Sequence, residues 1–151
     1  MKSISKIMLI ILLILLSCKQ EDTNPSEFGL VIKNGLPFIR VTINDKGGML
    51  LVDSGANRSY IDSRYTEYYD FVVYASEETA DGVGGNVAIY NTSHLLVKYN
   101  DSILGHRFQS ANLGATFYRT GVVGILGSDY FKKNNISIDF SNNKLHRVVN
   151  E

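Results

Sequence analysis

Leu51-Val52-Asp53-Ser54-Gly55-Ala56 sets a carboxylate at the end of an apolar run and follows it with a small hydroxyl and a glycine. The run begins at Met49, and Met49-Leu50-Leu51-Val52 reads as a strand buried on both faces. Upstream, Ile39, Val41 and Ile43 alternate with Phe38, Arg40, Thr42 and Asn44, the period of a half-buried strand. Between the two lies Asn44-Asp45-Lys46-Gly47-Gly48, turn chemistry whose two glycines are free to take positive φ. The segment is a hairpin whose second strand delivers Asp53 to a loop.

Working outward, the apolar clusters remain short. Strands are expected at 71–75, 87–90, 95–99, 107–113 and 122–126. A last pair, 136–140 and 145–148, is joined by Ser141-Asn142-Asn143-Lys144, where adjacent Asn residues tolerate left-handed backbone. Only Ser128 to Asn134 invites a short helix, with Ser128 or Asp129 able to cap it. Strands about every ten residues with almost no helix imply an all-β antiparallel barrel or sandwich.

The composition narrows the function classes. The chain has 151 residues, enough for one domain with a real core and too few for two. Lys+Arg and Asp+Glu number 15 each, so no electrostatic footprint for nucleic acid exists. A single cysteine excludes an internal disulfide framework, and no Cys/His spacing suits a metal. His94, His106 and His146 stand far apart and read as surface or edge residues.

Lys2 and Lys6 precede the apolar run Ile7–Leu16, which falls well short of the roughly 20 residues a membrane span needs. A positive start, a short apolar core and a small residue at the end describe a secretory signal. Leu15-Leu16-Ser17-Cys18 resembles the bacterial lipobox, in which the cysteine is lipidated and becomes the mature N-terminus. An ordinary signal peptide is the alternative; the uniqueness and placement of Cys18 favour the lipobox. The expected division is a signal over 1–17, a polar tether over 18–27 and a domain over 28–151. Loss of Lys2 and Lys6 leaves acidic side chains in slight excess, so acyl chains rather than charge must hold the protein on a membrane.

Around Asp53 the order of residues suits aspartic protease chemistry. The carboxylate must stand on a rigid loop, the neighbouring hydroxyl can brace that loop, and glycine lets a second backbone pack close. Two further segments follow in order. Asp81-Gly82-Val83-Gly84-Gly85-Asn86 suits a mobile hairpin tip, and Val122-Val123-Gly124-Ile125-Leu126-Gly127 is an apolar run closed by glycine.

In that order and over that length, the sequence resembles the retropepsin-like aspartic proteases, its tail (Gly124–Phe131, Ile138-Asp139-Phe140, Lys144-Leu145) bacterial members in particular. The resemblance spans about Phe28 to Val148. It implies a retropepsin-like acid-protease β-barrel with one short C-terminal helix. Asp53 would be the catalytic carboxylate, Ser54, Gly55 and Ala56 its loop, and Ser54 the bracing hydroxyl. Gly82, Val83, Gly84 and Gly85 would form the flap, and Ile125, Leu126 and Gly127 the segment packed beside the loop. Asn57-Arg58 stand where viral members carry acidic residues that contact substrate, so substrate preference does not transfer.

The chemistry needs two carboxylates around one water, and this chain has a single Asp-Ser-Gly. Asp62-Ser63 and Asp101-Ser102 lack the glycine, and Ser128-Asp129 reverses the order. The expectation is therefore a homodimer across a two-fold axis, cutting an extended peptide or protein substrate without metal or cofactor. It would be anchored by lipid in the bacterial cell envelope, periplasmic or surface-facing. The rival is a non-catalytic envelope lipoprotein using the same barrel to bind a peptide or glycan. Asp129 and Asp139 read as capping or surface residues, and Tyr65, Tyr68 and Tyr69 as packing residues or the wall of a substrate groove. Asn-X-Ser/Thr sequons at Asn57, Asn91, Asn100 and Asn135 read as chance beside a bacterial lipobox.

Overall fold

A computed structural model of the chain describes residues 25–82, 85–93, 95–114, 117 and 120–148. The signal with Cys18, most of the tether, the Val83-Gly84 tip and His94 lie outside them. The hairpin anticipated around Asp53 is present. Strand β3 (Leu36–Ile43) and strand β4 (Lys46–Asp53) pair antiparallel, Ile43 opposite Lys46 and Phe38 opposite Leu51. The turn differs from the expected one. Asn44 and Asp45 take the positive φ values, 46° and 63°, the geometry of a tight two-residue hairpin. Gly47 and Gly48 lie within β4. At Gly48 a Cβ would stand 2.8 Å from the Tyr69 hydroxyl and 2.9 Å from Val123, so the glycine serves close packing.

Ile39, Val41, Ile43, Leu50 and Val52 face the main core with Phe28, Ile61, Val97, Phe108, Leu126 and Tyr130. The opposite face of the hairpin is not bare. Phe38 and Met49 bury a second, smaller cluster with Val122. Truncating Leu50, which is fully buried, would cost about 2–5 kcal/mol.

The remaining strands are β1 (Glu27–Gly29), β2 (Val31–Lys33), β5 (Tyr60–Asp62), β6 (Val73–Tyr74), β7 (Thr79–Gly82), β8 (Gly85–Thr92), β9 (Val97–Tyr99), β10 (Ser102–Ile103), β11 (Gln109–Ala111), β12 (Gly124–Gly127), β13 (Ile136–Asp139) and β14 (Lys144–Arg147). The large sheet runs β10-β9-β3-β4-β12-β5-β11-β8-β6, and a three-stranded sheet runs β1-β14-β13. Glu27 already pairs with His146, so strand begins at the last residue assigned to the tether. The pairing is not wholly antiparallel: β12 lies parallel to β4, and β11 parallel to β5. Besides the C-terminal helix, a second short one is present among the described residues. Helix α1 (Thr66–Tyr69) follows a 3-10 turn at Ser63–Tyr65, and α2 (Ser128–Asn134) is the anticipated C-terminal helix.

Capping of α2 also departs from expectation. Gly127 occupies the cap position with no side-chain hydrogen bond, and Ser128 and Asp129 lie inside the helix. Asn135, at φ 52°, ends it. In the β13–β14 turn only Asn143 is left-handed, and Asp139 accepts from the backbone and side chain of Asn142.

Candidate active site

Asp53 ends β4 opposite Gly127 of the parallel strand β12, as Val52 stands opposite Leu126. Its carboxylate is half-buried, and Oδ1 accepts the Gly55 N–H at 2.8 Å. The Ala56 N–H turns back to the Asp53 carbonyl at 3.3 Å, and the Ser128 N–H donates to the Ala56 carbonyl at 2.8 Å. The loop therefore leaves the strand, crosses the end of β12 and touches the start of α2. Gly127 makes this crossing possible. A Cβ there would lie 2.3 Å from the Arg58 carbonyl oxygen and 3.0 Å from that of Ala56. The brace the single chain displays is this backbone one; Ser54 is exposed, and no hydrogen bond of its hydroxyl is found among the described residues.

The loop ends at Ser59, which is 1% exposed. The Ser59 N–H and Oγ both donate to the Asp129 carboxylate, at 3.1 and 2.7 Å, while Oγ accepts the Gly127 N–H at 3.0 Å. His106 Nε2 stands 3.1 Å from the same carboxylate, and its side chain is only 8% exposed. Burial works against the Asp129 anion, but hydrogen bonds from His106 and Ser59 outweigh it and hold the carboxyl below its ordinary range. His106 is thus no surface histidine, and Asp129 no simple cap. Chain separations of 70 and 23 residues hide this cluster from any local pattern.

The segment expected to be a flap belongs to a hairpin. Strands β7 and β8 pair from Thr79 opposite Ala88 to Gly82 opposite Gly85. Asn86 Nδ2 donates to Thr79 Oγ1 and Asp81 Oδ1, at 3.3 and 3.2 Å. At the foot of the hairpin, Glu78 pairs with Arg58 from the loop, and Gln109 bonds both. The Gln109 amide is the main cause holding the Glu78 carboxyl below its ordinary range, with Arg58 adding to it. Asn57, Arg58, Tyr60, Glu78, Thr79, Ala80 and Ile89 line a cleft between loop and hairpin, and Asp53 is not among the lining residues.

Tyr65, Tyr68 and Tyr69 form an aromatic cluster of their own. Tyr69 is 1% exposed and donates its hydroxyl to the Gly47 carbonyl at 2.9 Å, and burial pushes its pKa up to about 12. Gly47 stands at the far end of β4, roughly 20 Å from Asp53 at strand spacing. Tyr69 therefore belongs to the core and its companions to the hairpin turn, not to a groove at Asp53.

No protein-family model and no curated protein matches the chain. Among solved structures it is similar to EIAV protease complexed with the inhibitor HBY-793, at 24% identity and a TM-score of 0.55, over 73% of this chain and 100% of that one. It is likewise similar to the retroviral protease-like domain of Ddi1 from Leishmania major, at 23% identity and a TM-score of 0.53, over 73% of this chain and 86% of that one. The mostly-β chain, with its Asp53 loop seated on the β4–β12 pair, has the fold of the retropepsin-like aspartic proteases.

Proposed function

We propose that the protein is an aspartic endopeptidase that works as a homodimer, each chain giving one Asp53. The observation carrying this reading is the seat of that carboxylate. It stands at the end of a strand held in a buried sheet, on a loop closed by its own backbone and crossed at van der Waals limits over Gly127. Catalysis by positioned carboxylates needs such rigidity.

Two carboxylates about 3 Å apart cannot both ionise, so the pair shares one proton. The ionised Asp53 takes a proton from the bound water as it attacks the scissile carbonyl. The protonated Asp53 of the second copy donates to the carbonyl oxygen, giving a tetrahedral diol. Collapse breaks the C–N bond, with a proton passed to the departing amine. The sequence supplies a single Asp-Ser-Gly, which is why the second carboxylate comes from another copy. The exposed Ser54 hydroxyl is free to brace the paired loops across the two-fold axis. The β7–β8 hairpin closes over an extended peptide, and Ile125-Leu126-Gly127 backs the loop. Cys18 carries the lipid, which keeps the enzyme on a membrane of the bacterial envelope and raises the local concentration of monomers.

Incubation with a diverse peptide mixture from acid to neutral pH, read by mass spectrometry, tests this. Cuts made by the wild type and absent from Asp53→Asn are expected. Equal cutting by both would end the proposal. Peptide retention without cutting, by a covalently linked dimer as well, would favour the binding module.

A further inference from the structure

We propose that Asp129 and His106 are positioning residues for the Asp53 loop, acting through Ser59; the inference rests on reading Asp53 as the catalytic carboxylate. The loop 54–58 joins two strands that both pair with β12, β4 in parallel and β5 antiparallel. Its beginning is fixed by the β4–β12 ladder. Its end is fixed by Ser59, and Ser59 is fixed by Asp129. One carboxylate accepts four donors: Oδ1 takes Ser59 Oγ at 2.7 Å and the Tyr130 N–H at 2.8 Å, and Oδ2 takes the Ser59 N–H at 3.1 Å and His106 Nε2 at 3.1 Å. Through Ser59 Oγ the same cluster receives the N–H of Gly127, the residue opposite Asp53. Loosening Asp129 releases the far end of the loop and its contact with β12 together.

His106 completes the carboxylate from a separate segment. Its ring lies edge-on to Phe108 and Tyr130, with centroids 5.5 and 5.3 Å away, and this packing aims Nε2 at Asp129. From α2, Lys133 donates to the Gly105 carbonyl at 2.9 Å and ties down the backbone beside His106. From β5, Tyr60 feels the Asp129 charge. With its proton on Nε2, the tautomer that matches a carboxylate acceptor, the ring donates to Asp129 without needing a positive charge. The cluster is not a nucleophilic triad. Ser59 Oγ donates to the carboxylate rather than to the imidazole, and it is buried.

The test combines peptide kinetics with amide hydrogen exchange on the full chain for wild type, Asp129→Asn, His106→Gln and His106→Ala. Asn keeps the shape of Asp but turns one acceptor oxygen into a donor facing donors. Asp129→Asn should speed exchange at the Ser59 and Gly127 amides about ten-fold or more. It should lower kcat about ten-fold with KM within about two-fold, because misplacement of the reacting group is felt mainly in the chemical step. His106→Gln, which retains an N–H donor, should recover most of the kcat that His106→Ala loses. Wild-type exchange at both amides in Asp129→Asn, or full kcat in His106→Ala, would overturn the proposal. Should Asp129→Asn not fold, the His106 pair decides. Should the wild type cut nothing, the catalytic reading fails while exchange still decides the anchor.

Discussion

The loop at Asp53 and the hairpin at Thr79–Thr92 lie on either side of one cleft and are built in opposite ways. The loop is locked at its start by the Gly55 N–H, in its middle by Ser128 and at its end by Asp129. Along the β7–β8 pair the side chains are mostly exposed or half-buried, and a Cβ on Gly85 would meet nothing within 4 Å. The hairpin is tied to the loop mainly through the exposed Arg58–Glu78 pair and Gln109. Glycine itself changes meaning between the two regions. At Gly127 it permits two backbones to touch; at Gly85 it permits φ 105°. On the proposed reading, the reacting group is kept still and the hairpin over it has room to rearrange.

The largest effect should come from the carboxylate. Asp53→Asn is expected to reduce peptide cleavage at least about a thousand-fold, within the 10²–10⁴ range of general acid–base catalysis, while thermal unfolding stays near that of the wild type. A large loss of stability in that variant would mean the locked loop depends on the charge. Gly127→Ala comes next. Its Cβ would overlap the Arg58 carbonyl, and a destabilisation of about 3 kcal/mol, read by denaturant unfolding, is expected. Gly85→Ala meets no atoms and should cost only about 1–2 kcal/mol, through its left-handed backbone. Equal costs at the two glycines would erase the contrast.

A pH titration of stability sharpens it further. The folded Asp129 carboxyl lies below its ordinary value, so the unfolded chain takes up the proton first as pH falls. Its stabilisation is present above the ordinary carboxylate range and is lost as pH drops through the folded value. Asp129→Asn should flatten that acid limb, measured by the unfolding midpoint against pH. Glu78→Gln should change the limb least, since Glu78 is solvent-exposed and screened. Its effect should appear instead in KM, by way of the cleft.

What the sequence could reveal follows from range. The β3–β4 hairpin, helix α2 and the β13–β14 hairpin are local, and alternation, the Asn-rich turn and a short helical run were enough to place them. The Asp53 loop was legible because its parts lie in one tripeptide. Parallel pairing of β12 with β4 joins segments far apart, and no local period encodes it. Helix α1 is a single turn, too short to show a period. Ser59, His106 and Asp129 come from three segments, and each alone is an ordinary surface residue type. The turn glycines misled because Gly48 answers to Tyr69 and Val123, which the neighbouring sequence does not announce.

The central claim is that two chains share one site, and subunit mixing tests it most directly. Wild type and Asp53→Asn are mixed in equal amounts, allowed to exchange partners, and assayed for peptide cleavage against the same total of wild type. A site built from one Asp53 of each copy predicts about a quarter of the activity, because random pairing leaves that fraction of dimers intact. Activity falling only to one half would show that each chain acts alone, and would contradict the account.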